Sequence, residues 1–258
     1  MKNWITIFLI LLLFLSGCST VPRSFHPQQP IGPQEFSHDV FNGALKDHVS
    51  DGVVKYPSLS RDSRLSVYLD QLNRVDPNAL PTRNDRLAFW INTYNAFAIK
   101  GILDGYSPRT KIGQYQYFIG REYMVGGESL NLNNLEKKIL IPDFREPRIH
   151  FAIVCASQSC PKLRSWAYTA EQLEEQLNDS ARRFINDPTR NRFDREQKIA
   201  YLSKIFDWFT EDFVAHSGSL TNYVSQFVQD PVLAKELQAG GYQVEFLDYN
   251  WNLNGIPP

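Results

Sequence analysis

The sequence predicts a single α+β domain over residues 37–258, with mixed helices around a small, mainly antiparallel central sheet. Three observations carry this. Apolar residues recur at helical spacing in several segments, each closed by proline or glycine. Short β-favouring runs lie between those segments without the strict alternation of a doubly wound sheet. The 258-residue chain is 43% hydrophobic, enough for one large core once its terminal segments are set aside.

The N-terminus, "MKNWITIFLILLLFLSGCST", places Lys2 before an apolar run from Ile5 to Leu15, with small residues after it. This is the layout of a secretory signal, too short to span a bilayer comfortably as a permanent helix. "LSGC" at 15–18 resembles the lipobox of bacterial lipoproteins. That resemblance implies cleavage before Cys18, a diacylglycerol thioether on its sulfur and an acylated amino group. Three acyl chains exceed the two signals that stable anchoring needs. Ser19 rather than aspartate after the cysteine favours outer-membrane sorting in a Gram-negative cell. The expectation is therefore an exported protein anchored to the membrane through Cys18 and facing the periplasm. Residues 18–36, with the four prolines of "STVPRSFHPQQPIGPQ", read as a lipidated linker lifting the domain off the lipid. Residues 1–17 carry one charged side chain, Lys2, so their removal moves the formal charge from −1 to −2. That is too near neutral to suggest a nucleic-acid partner.

Ser37 or Asp39 is placed to cap a first helix presenting Val40, Phe41, Ala44, Leu45 and Val49. "DGVVKYPSL" reads as a turn and a short extended piece, and 61–72 as a helix presenting Leu65, Tyr68, Leu69 and Leu72, ended by "VDPNALP". In "RLAFWINTYNAFAIKGILDGY" apolar residues cover nearly every angle, which predicts a helix buried on most sides. Asn92 and Asn95 lie on one face of it, and each needs a partner, neighbouring backbone or a ligand. "QYQYFIGREYMVGG" reads as two strands with turns, and a helix begins near Asn131. "RIHFAIV" reads as a central strand buried on both faces, His150 being its one polar residue. Thr169 and Gln172 offer a capping box for a helix presenting Leu173, Leu177, Ala181 and Phe184. A strand at "IAYLS", the helix "KIFDWFTEDFVAH", two short helices ending at Gly240–Gly241 and a last strand, "YQVEFLDYNWNLN", complete the chain.

"SDGVVKYPSL", "AFWINTYNAF", "IHFAIVCASQSCPKL", "LSKIFDWFTEDF" and "LDYNWNLN" together resemble the family of domain of unknown function 547, over about residues 40–254. The resemblance implies a domain extent but no settled activity. Its Cys-Pro segment and terminal motif map onto Cys155, Cys160, Pro161, Asn250, Trp251 and Asn254.

One chemical reading is a cysteine hydrolase or acyl transferase acting on an envelope peptide or amide. Cys155 or Cys160 would be the nucleophile, His150 the base, and Asn250 or Asp248 the group orienting it. Asn92, Asn95 and Trp251 would contact the substrate. Along an extended strand, residues 150 and 155 would stand about 16–17 Å apart on opposite faces, so this reading requires the chain to fold back after Val154. The rival reading is a Cys155–Cys160 disulfide holding a binding loop in a non-enzymatic envelope module, since the exported compartment is oxidising. Unpaired buried thiols are a third state. A zinc site from His150, Cys155 and Cys160 matches no trusted spacing, and no cofactor or phosphate loop is expected.

Overall fold

The computed structural model describes residues 24–258; the signal segment and Cys18 lie outside the described residues. Helices α1 (Asp39–His48), α2 (Tyr56–Leu59) and α3 (Ser63–Arg74) flank a hairpin of β1 (Val49–Ser50) and β2 (Val53–Lys55). The hairpin turns at Asp51 and Gly52, whose φ values of 47° and 82° are those of a type I′ turn. Helix α4 (Arg83–Leu103) follows, with a reciprocal cap between Thr82 and Asp85. Every residue from 87 to 99 is buried, so α4 is the axis of the larger core. Next come α5 (Lys111–Tyr115), a π-helical turn, and the hairpin of β3 (Tyr123–Val125) and β4 (Glu128–Leu130). Asn131 caps α6 (Leu132–Leu135), which runs through a second π-helical turn into α7 (Ile141–Phe144).

The C-terminal half builds a second core around Phe151. It uses α8 (Leu173–Ile185), β5 (Arg192–Asp194), β6 (Ile199–Leu202), α9 (Lys204–Trp208), α10 (Thr210–Ser217), α11 (Leu220–Ser225), α12 (Pro231–Ala239) and β7 (Gln243–Phe246). The chain then returns to the first half, where β8 (Gly255–Ile256) pairs in parallel with β2. The α+β class holds, but among the described residues the strands form three small separate sheets, two of them mixed, in place of one central sheet.

Several local expectations need correction, the last strand among them, which spans Gln243–Phe246 and does not run on through 254. "RIHFAIV" is no strand. Pro147–Phe151 forms a 3-10 turn, opened by the Glu146 carboxylate, which accepts from the Arg148 N–H. A short run apolar on all sides reads alike as buried strand or buried helix, and Pro147 at the first helical position favours the turn. "QYQYFIG" is likewise helical, and only 123–125 and 128–130 are strands. The capping box at Thr169 does not form, because the Thr169 N–H donates to Gln176 Oε1 and α8 starts after Gln172. "KIFDWFTEDFVAH" breaks at Phe209 into α9 and α10.

The proline-rich segment is also more than a tether. Phe25 is buried against Trp90, with ring centroids 5.8 Å apart. The His26 N–H donates to the Gly126 carbonyl at 2.9 Å, and the Ile31 N–H donates to the Arg74 carbonyl at 3.0 Å. The folded body thus begins by residue 25, because Phe25 and Ile31 supply apolar anchors that a count of prolines overlooks. Phe25→Ala is expected to lower the unfolding free energy by about 2–4 kcal/mol in urea denaturation, whereas a free tether would show no change.

Candidate functional site

The backbone from 149 to 168 is held against α4 by two asparagine side chains. Asn95 Nδ2 donates to the Ala152 carbonyl at 3.0 Å, and its Oδ1 accepts from the Val154 N–H at 2.9 Å. Asn92 does the same to Tyr168, donating to its carbonyl at 2.8 Å and accepting from its N–H at 2.9 Å. Each amide replaces the ladder partner that a strand would have supplied. Past Val154 the chain turns through Ala156, at φ 60°, and back to Cys160. Arg190 fastens that return with hydrogen bonds from Nε and Nη2 to the Cys160 carbonyl at 2.9 and 2.8 Å. On the other side, extended residues 250–254 pair with the loop, Ser159 and Gln158 donating to the Asn250 and Asn252 carbonyls.

The turn brings His150, Cys155 and Cys160 to one cleft of about 340 Å³. Its remaining wall is largely aromatic, including Tyr94, Phe118, Trp208, Phe209, Tyr249 and Trp251. Trp208, Tyr249 and Trp251 pack on one another, with centroids 4.5–5.7 Å apart.

Within this apolar wall sit two titratable groups. His150 is 3% exposed and stacks on Phe209 at 3.9 Å. Its Nε2 bonds Asp212 Oδ2 at 2.8 Å, while Nδ1 has no hydrogen-bond partner among the described residues. Burial pushes the imidazole pKa down by more than the bond to Asp212 lifts it, so the ring is neutral. Nε2 therefore carries the proton given to the carboxylate, and Nδ1 keeps a free lone pair. Glu136, half-buried, lies close to the Tyr94 hydroxyl. Burial raises its pKa to about 7, opposed by nearby Lys137 and by Tyr94, and reinforced by the negative charge of Asp212.

Cys155 and Cys160 are joined by a disulfide, their α-carbons 6.1 Å apart. Cys155 Sγ also lies 3.1 Å from the Tyr249 hydroxyl, which accepts in turn from Ser157 Oγ at 2.9 Å. In the bridged state neither sulfur is a thiolate.

Of the residues singled out in the sequence, His150, Cys155, Cys160 and Trp251 line the cleft. Asn92, Asn95 and Asn250 do not. The first two are committed to backbone, and Asn250 is exposed, its Nδ2 donating to Gln158 Oε1 at 2.9 Å. The partner of His150 is Asp212 on α10, not Asn250 or Asp248. Glu136, Tyr94 and Asp212 escaped the sequence reading. Glu136 and Asp212 sit in charged helical stretches that look like solvated faces, and only their tertiary placement distinguishes them.

A carboxyl held near 7 makes folding depend on pH. The folded pKa lies above the ordinary 4.5, so the folded state binds the extra proton between about pH 4.5 and 7 and loses stability as pH rises through that window. Glu136→Gln is expected to flatten this decline and to be more stable than the parent above pH 7. The gain is at most about 3 kcal/mol, less whatever the cleft's solvent screens, read by urea denaturation across pH.

Residues 77–185 match the model of a family described as a protein of unknown function, DUF547. The matched stretch runs from the turn before α4 to the end of α8, taking in Glu136, His150 and both cysteines but not Asp212, Tyr249 or Trp251. Searches of curated proteins and of solved structures return no match. Over its central part, the chain is similar to that family of unknown function.

Proposed function

We propose that this is a lipid-anchored envelope protein, attached through Cys18 and facing the periplasm, whose aromatic cleft binds an envelope component. The Cys155–Cys160 bridge then serves as a staple holding one wall of the cleft. The observation that carries this reading is the cleft itself: a concave, mainly apolar surface with a few convergent polar groups is the usual form of a small-ligand site. Trp208, 44% exposed at the cleft, is a large aromatic left accessible where a ligand would cover it. The anchor is supported by the "LSGC" sequence at 15–18. Among the described residues no helix is long and apolar enough to cross a membrane.

A second reading rests on one observation, that a neutral imidazole with a free Nδ1 lines the same cleft as Cys155. After a dithiol reductant opens the bridge, Cys155 would pass its proton to Nδ1 while the sulfur attacks an amide or ester carbonyl. The imidazolium would return that proton to the departing amine or alcohol as the C–N or C–O bond breaks, leaving a thioester for water or an acceptor to resolve. Asp212 would hold the ring and balance the imidazolium. The cleft would then be that of a cysteine hydrolase or acyl transferase.

Two measurements separate the readings. Peptide and glycan fragments of the envelope, titrated into the full chain and followed by tryptophan fluorescence, are expected to give saturable binding. Trp208→Ala should weaken it by about tenfold or more. A flat response to all fragments would overturn the binding proposal. The Cys155→Ser, Cys160→Ser double variant should keep that binding within a few-fold, whereas fragment cleavage that appears only after reduction and disappears in Cys155→Ser would establish the thiol enzyme. For the anchor, radiolabelled palmitate should enter the native protein and not Cys18→Ala.

A further inference from the structure

Building on the reading that the cleft binds a ligand, we infer that the group it selects is a primary ammonium, such as the free amine of a peptide. Besides the neutral amides of Gln114 and Asn133, the cleft lining holds two acceptors that a cation can use, an imidazole nitrogen and a carboxylate. His150 Nδ1 is buried without a partner among the described residues, its Nε2 proton already given to Asp212. Glu136, close to the Tyr94 hydroxyl, is a carboxylate able to accept several hydrogen bonds. Lys137, next in the chain, does not fill the place, because its Nζ lies 3.9 Å over the Phe209 ring.

A protonated primary amine has three donors and no acceptor, the complement of this pair. The surrounding rings favour a cation as well, since the faces of tryptophan, tyrosine and phenylalanine attract positive charge. The perch of Lys137 on Phe209 shows that attraction at work beside the cleft. The charge balance agrees. With His150 neutral, ionised Glu136 and Asp212 face one cation, Lys137, and the surplus is negative. A quaternary ammonium would satisfy the rings but leave both acceptors without hydrogen. A neutral alcohol would supply one donor and no charge.

The selectivity depends on pH. Glu136 must be ionised to hold the cation, and its neighbours set that ionisation: Tyr94 on α4, Lys137 beside it, Asp212 on α10, with neutral His150 and Tyr249 lining the same cleft. With the carboxyl titrating near 7, ammonium affinity should rise about tenfold between about pH 6 and pH 8, and protons should be released on binding.

Isothermal titration of the full chain with benzylammonium, benzyl alcohol and benzyltrimethylammonium tests this. Tighter binding of benzylammonium than of either analogue, by about tenfold or more at pH 8, supports the assignment. So does loss of that preference in Glu136→Gln, whose folding is checked by near-ultraviolet circular dichroism. If that variant fails to fold, the pH dependence and proton release of the native protein decide. Equal affinity for benzylammonium and the alcohol overturns the ammonium assignment and leaves the binding reading standing. Tighter binding of the quaternary salt overturns the role of the two acceptors. No binding of any of the three overturns the assignment, while the fragment titration judges the broader reading separately.

Discussion

Everything in the cleft depends on the two hydrogen bonds between Asn95 and the backbone at Ala152 and Val154. Helix α4 is buried on all sides from residue 87 to 99, and an amide side chain there must satisfy its own groups or forfeit about 1–3 kcal/mol for each one left open. Asn95 meets that demand by adopting a stretch of chain that has no strand beside it. The chain is thereby pinned where it leaves the 3-10 turn, and the next residues are free to reverse. Imidazole and disulfide reach the same space because of that reversal. Asn92 repeats the device at Tyr168 and fixes where the returning chain meets the helix again.

The groups exposed by this arrangement are not those a stable core would choose. A carboxyl retained in aromatic surroundings and an imidazole nitrogen without a partner both act against folding. Such local conflicts concentrate where a protein meets something else. The scaffold around them is over-determined in compensation: the Arg190 clasp on the Cys160 carbonyl, the disulfide, and the pairing of residues 250–254 with the loop all restrain the same few ångströms of chain.

Much of the architecture was legible in residue order. Periodicity located α3, α4, α8 and the capped start of α6, and the apolar surround of "AFWINTYNAFAI" correctly implied a central buried helix. The failures share a cause. Where a run is apolar on all sides, its period carries no information, so "RIHFAIV" passed for a strand. Where charge is dense, a functional carboxylate is indistinguishable from a solvated one, so Glu136 and Asp212 were hidden in "NNLEKKIL" and "FTEDF". The required backbone reversal after Val154 could be stated from strand geometry alone. That Asn95 would enforce it, from nearly sixty residues upstream, could not, because the pairing exists only in three dimensions.

Under the proposed attachment through Cys18, the docked segment around Phe25 and Ile31 changes the mechanics of the molecule. Between Cys18 and Phe25 only seven residue steps remain, a leash of no more than about 25 Å even when pulled straight. A protein so tied would patrol a thin shell just above its bilayer, and whatever it meets must come down to that height.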